Sequence, residues 1–141
     1  MKENVNTKKY WDERFKNNWE KKNGRSQTRY FAESQIKHLK IKWNFSGSLL
    51  DFGCGLGDAI PVYKSHFPNA KLFGIDISTV GIEKCRERYG DMADFISGSV
   101  ESMPFVDIVI ASHVFEHLSN DINIAKEILK KSKKLYIVVP Y

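Results

Sequence analysis

The sequence has little of what would take it out of the ordinary globular class. It holds two cysteines, Cys54 and Cys85, far apart and without a partner at metal-ligand spacing. That excludes a disulfide scaffold and argues against a zinc site. Four prolines and nine glycines, with no internal repeat or low-complexity tract, exclude a collagen-like or linker-type chain. No run of about 18 apolar residues occurs, and residues 1–9 are polar and charged. Neither a membrane span nor a secretory leader is expected, and the expected location is cytoplasmic. What remains, in 141 residues that are 42% hydrophobic and 28% charged, is the composition of one soluble domain able to bury a core.

The net charge of +5 is unevenly spread: residues 1–46 carry twelve Lys and Arg against five Asp and Glu, and residues 47–141 carry ten against twelve. A basic segment suits a nucleic-acid or phosphorylated partner, but lysines dispersed over solvated helix faces give the same count. Nucleic acid is therefore not the expected partner.

Apolar residues recur at helical spacing in 7–20 (TKKYWDERFKNNWE) and 28–42 (TRYFAESQIKHLKIK), which predicts two helices joined by KKNGRSQ. From Ser48 onward the pattern changes to short apolar runs: LLDFG (49–53), KLFGID (71–76), ADFIS (93–97), VDIVIAS (106–112) and KLYIVVP (134–140). Helical stretches at 57–66, 79–90 and 120–132 separate them; residues 98–105 leave room for one turn at most. Strand alternating with helix predicts an α/β fold, a Rossmann-like doubly wound parallel sheet whose ligands bind beyond the carboxyl ends of the strands. The expected organisation is an N-terminal helical segment or lid over 1–46 and a cofactor-binding core over 47–141.

The strongest local signal is Asp51-Phe52-Gly53-Cys54-Gly55-Leu56-Gly57-Asp58. It follows an apolar strand and opens a helix, where glycines let the backbone turn tightly and approach a ligand. Asp76 stands at the end of the next strand, placed to accept from ribose hydroxyls. A dinucleotide fingerprint would need glycine at position 58; Asp58 would repel a pyrophosphate. S-adenosylmethionine carries a sulfonium and an ammonium and no phosphate, so a pocket edged by Asp51, Asp58 and Asp76 suits it better than NAD or FAD.

DFGCGLG, FGIDIS, FISGSVESMPF and DIVIASHVFEHL, in that order, resemble the motifs of class I S-adenosylmethionine-dependent methyltransferases of the small-molecule and ubiquinone-biosynthesis type, over residues 8–141 and including YWDERF. The resemblance implies a sheet of order 3-2-1-4-5. It implies that Asp51 supports the loop and the methionyl ammonium, with Gly53, Gly55 and Gly57 passing under the cofactor. Asp76 would hold the ribose, Ile77 would lie against adenine, and Ser112 would present its carbonyl to the methionyl part. Ser99 stands where the family usually has an acid for the adenine amino group, which leaves the Val100 amide as the surer contact. The family's sheet continues with a helix and an antiparallel pair of strands, expected to be absent here. The apolar edge of the fifth strand is then expected to pair with a second copy or a partner chain.

His113-Val114-Phe115-Glu116-His117 matches HxxEH by letters, but it leaves a strand and leads into a helix beginning near Ser119, Asn120 and Asp121, unlike a protease helix. No metal is assigned to it. His113 and His117 are the candidate general bases for a hydroxyl or amine acceptor; loop-fixing hydrogen bonds and metal ligation are the alternative roles for this segment. Tyr30 and Phe31, or Trp11 and Phe15, are candidates to cover the cofactor. The expected reaction is O- or N-methylation of a small molecule with S-adenosylhomocysteine as product. The alternative is a protein that binds the cofactor but is catalytically incomplete or regulatory. Methylation of RNA or protein rests on the basic N-terminus alone, and SHVFEHL does not resemble the Asn/Asp-Pro-Pro-Tyr segment of base-amine methyltransferases.

Overall fold

The computed structural model describes residues 7–17 and 19–140. Asn18 in the first predicted helix and Tyr141 after the fifth strand lie outside the described residues. Five strands, β1 (Ser48–Phe52), β2 (Lys71–Asp76), β3 (Ala93–Ser97), β4 (Val106–Ser112) and β5 (Ser132–Val138), form one sheet of order β3-β2-β1-β4-β5. Every pairing among them is parallel, as the near-continuous apolar runs require.

Side chains alternate across the sheet. Leu49, Leu72 and Ile108 face α2 (Gly24–Ile36), α3 (Ile60–His66) and α4 (Thr79–Tyr89). Leu50, Ile75 and Val109 face α5 (Asp121–Leu129) and the 3-10 turn Val100–Ser102, which fills the short connection after β3. The sheet is thus covered on both faces, with one helix on the second. Ser78 caps α4, its hydroxyl accepting from the Gly81 amide at 2.9 Å, and Pro61 opens α3 where a missing N–H is harmless.

The N-terminal segment departs from the predicted bounds. The helix α1 spans Lys8–Asn17, a 3-10 turn spans Glu20–Lys22, and α2 begins at Gly24 inside the predicted link. Gly24 is required there because a Cβ would stand 2.3 Å from the Trp19 indole nitrogen. α2 ends at Ile36, and Leu39, Ile41 and Phe45 pack against the core from irregular chain. Burial, not helical periodicity, governs that stretch. β5 likewise starts at Ser132, two residues earlier than its apolar run, because Ser132 pairs with Val106.

Two devices fix α1 on the core. Asp12 Oδ1 accepts from the Ser78 hydroxyl at 2.7 Å and the Val80 amide at 3.2 Å, and Lys84 Nζ donates to the Phe15 carbonyl at 2.7 Å. Phe15, Ala32 and Ile36 are buried, so α1 and α2 share the core's interior.

Candidate functional site

A cleft of about 650 Å³ opens at the carboxyl ends of β1, β2 and β4, roofed by α1 and α2. Gly53, φ +74°, makes the turn out of β1; a Cβ there would lie 2.4 Å from Val114 Cγ2, so the two loops meet only because the side chain is missing. The Asp76 carboxylate clamps the glycine loop, accepting from the Gly55 amide and the Ser78 amide at 2.9 Å each. Burial pushes its pKa up against the lowering effect of those two bonds.

Asp51 is the electrostatic centre of the floor. Burial, and next the neighbouring Asp76 charge, push its pKa up to about 8. Among the described residues no hydrogen bond or ion pair reaches its carboxyl. Two carboxyls at the base of an apolar cleft, one without a partner, make a site for a cationic group.

Gly53, Gly55, Asp51, Asp76, Ile77, Ser99, Ser112, His113 and His117 all line this one cleft. Two of the expected contacts do not. Gly57, φ +79°, backs onto α4, where a Cβ would meet Cys85 and Tyr89, and the Val100 side chain is buried in the core beside α5. Asp58 is a correction: it does not edge the pocket. Its carboxylate is buried in the seam between α2 and α4, where Tyr89 donates to it at 2.5 Å and Arg25 stands 3.4 Å away. Tyr30 is a second correction, being 68% exposed while Phe31 lines the cleft.

Each histidine touches a different roof helix. The His113 ring lies 4.5 Å from Phe31 of α2, and the His117 ring lies 5.7 Å from Trp11 of α1. His113 has φ +57°, a left-handed conformation that non-glycine residues rarely adopt and that gathers at functional sites. Two bonds hold it: its amide donates to the Val138 carbonyl at 2.8 Å, and Nδ1 lies 3.0 Å from the Ser112 hydroxyl. Glu116 is exposed, 3.7 Å from His117 Nε2, and does not line the cleft. Among the described residues no group of three or more His, Cys, Asp or Glu could hold a metal ion. Cys54 and Cys85 are buried free thiols, and the Cys54 thiol is pushed up by the adjacent Cys85 and by burial.

Sequence reasoning missed Gln35, Tyr63 and Glu101, which also line the cleft. The signal for the first was present: Thr28, Phe31, Ala32 and Gln35 fall on one helical face. Glu101 places a carboxylate at the Ser99 end, two positions beyond the serine.

Residues 50–135 match the family described as a methyltransferase domain. The chain is 32% identical over 88 residues to malonyl-[acyl-carrier protein] O-methyltransferase of Neorickettsia risticii (strain Illinois), a match covering 61% of this chain and 35% of that protein. It thus spans about a third of the relative's length. Its fold is similar to a chain from the complex of the Haloferax volcanii Trm112 methyltransferase activator with a methyltransferase, with a TM-score of 0.77 at 20% identity over 93% of this chain and 60% of that one. It is similar also to the plantazolicin methyltransferase BpumL in complex with S-adenosylhomocysteine, with a TM-score of 0.63 at 20% identity over 94% and 58% of the two chains. With a parallel sheet of order 3-2-1-4-5, a glycine loop clamped by a strand-end aspartate, and a family match over more than half its length, this chain belongs to the methyltransferase domain family.

Proposed function

We propose that the chain binds S-adenosylmethionine in the cleft and carries out methyl transfer to a hydroxyl or amine of a small molecule. The observation that carries this reading is the Asp51–Asp76 pair beneath the glycine loop, a floor that suits a cation and an adenosine ribose together. The BpumL structure, of the same fold, holds S-adenosylhomocysteine, which supports the choice of cofactor.

S-adenosylmethionine supplies an activated methyl group on a sulfonium, so the protein's task is alignment and exclusion of water. Asp51 receives the ammonium, Asp76 the ribose hydroxyls, and Ile77 one face of the adenine. Glu101 offers the base end the carboxylate that Ser99 does not. Residues 1–46 serve as a lid, with Trp11, Phe15 and Phe31 shielding the cleft. His113 is the general base: with Nδ1 at the Ser112 hydroxyl, Nε2 is the ring nitrogen left to take the acceptor's proton. His117, packed edge-on to Trp11, positions the lid.

Formation of S-adenosylhomocysteine across a panel of small hydroxyl and amine acceptors tests the reading. His113→Ala is expected to lower turnover by about 10²-fold or more while leaving cofactor affinity within about twofold. Cofactor binding without turnover on any acceptor favours the second reading, a binding or regulatory protein. The β5 edge supports a partner in either case: among the described residues β5 is an outer strand, Ile137 in it and Val139 just beyond it are 44% and 47% exposed, and a chain of the same fold occurs in a complex with an activator.

A further inference from the structure

We infer that Lys131 is a positioning residue for the base end of the cleft: it holds the short crossover after β3 so that the Glu101 carboxylate meets the adenine amino group, and the site thereby selects an amino-purine. The inference rests on the cofactor reading above. It is carried by the hydrogen bonds of one side chain. Lys131 Nζ donates to the carbonyls of Val100 and Glu101 at 3.0 Å each and to that of Met103 at 3.1 Å. These bonds use every donor an ammonium has, and all of them go to one turn of main chain.

The crossover needs such a hold. Residues 98–105 contain only the 3-10 turn Val100–Ser102, whose end carbonyls have no further helical turn to accept from. The ammonium caps them from outside, as a basic side chain does at a helix C-terminus. Lys131 is itself fixed where α5 passes into β5: its amide donates to the Ile128 carbonyl at 3.0 Å, and its carbonyl accepts from the Val106 amide at 2.9 Å. The start of the crossover is tied to the ribose aspartate, since the Gly98 amide donates to the Asp76 carbonyl at 2.9 Å. A Cβ on Gly98 would stand 2.6 Å from Ser102 Oγ, so the loop folds closely on itself. Ser99 and Glu101 stand between these ties and line the cleft. Lys131 takes the Glu101 carbonyl and not its carboxylate, which is left to face a ligand. A carboxylate accepts from the amino group of adenine and repels the oxo group of hypoxanthine.

Calorimetric titration of the full chain compares S-adenosylhomocysteine with S-inosylhomocysteine, in which an oxo group replaces the amino group. The wild type is expected to prefer the adenosine ligand by about tenfold or more, the worth of a hydrogen bond to a charged group. Lys131→Met is expected to reduce that preference to about twofold or less by weakening S-adenosylhomocysteine, in a chain that still melts cooperatively. Glu101→Ala is expected to reduce it equally, and the double variant no further, because the two residues act through one contact. Lys131→Gln, which keeps an amide donor, is expected to give an intermediate preference and carries the test if the methionine variant does not fold. Equal weakening of both ligands by the Lys131 variants, which loosening of the fold alone produces, overturns the assignment. An undiminished preference in those variants, or none in the wild type, overturns it as well. A folded wild-type chain that binds neither ligand overturns the cofactor reading itself.

Discussion

A carboxyl pushed up to about 8 keeps its proton through the neutral range, so Asp51 is uncharged in the free cleft at pH 7 and ionises when a cation docks beside it. Affinity for S-adenosylhomocysteine is therefore expected to rise between pH 6 and pH 8 and then level off. Titrations at pH 7 in buffers of different ionisation enthalpy should register proton release on binding; a pH-independent affinity with no release would contradict the assignment. The same shift acts on stability. The folded-state value lies above the ordinary 3.8, so the folded chain holds a proton that the unfolded chain has lost, and stability falls as pH rises from about 4 to about 8. Asp51→Asn removes that dependence: the variant is expected to melt higher than wild type at pH 8 and to bind the cofactor more weakly. Asp51 could be read from the sequence because an acid before a glycine loop is a local pattern. Asp58 misled because its direction is set by Tyr89, 31 residues away, and by Arg25 on a helix whose packing no local pattern reveals.

The N-terminal helices α1 and α2 act as elements through a few anchors. Asp12 joins α1 to the capped start of α4, and its pKa is lowered because hydrogen bonds from Lys8, Ser78 and Val80 outweigh the upward push of burial. Asp12→Ala is expected to destabilise the chain by about 1–2 kcal/mol, the range for a lost helix-end hydrogen bond to a charged group. It is also expected to speed cofactor dissociation several-fold in stopped-flow chase experiments. Unchanged dissociation would mean that α1 does not govern access. The strands were legible because buried parallel strands read as apolar runs. The bounds of the two N-terminal helices were not, since Gly24 inside α2 answers to the Trp19 indole and the segment after Ile36 is held by tertiary burial.

At the scale of the whole molecule, the sheet has two unlike edges. β3 is flanked by α4, to which Arg86 ties it by donating to the Phe95 carbonyl at 2.8 Å, whereas β5 offers the exposed Ile137, with the exposed Val139 just beyond it. An apolar edge of this kind recruits another strand. The proposed pairing predicts that the 141-residue chain sediments as more than a monomer, with slow exchange of the outward β5 amides. A monomer whose β5 amides exchange rapidly would refute the pairing. The parallel sheet and the cleft at its carboxyl ends followed from alternation of strand and helix, a property of the whole chain, whereas the strand order came from the resemblance to class I methyltransferases. The acceptor's identity did not, because the cleft's apolar walls admit many small molecules.

The central claim is that the cleft holds an S-adenosyl cofactor through its acidic floor. It is tested most directly by calorimetric titration of the wild-type chain and of Asp76→Asn with S-adenosylhomocysteine. The account predicts one site of micromolar affinity in the wild type and a loss of about tenfold or more in a variant that remains folded; equal binding by both, or none by a folded wild type, would contradict it.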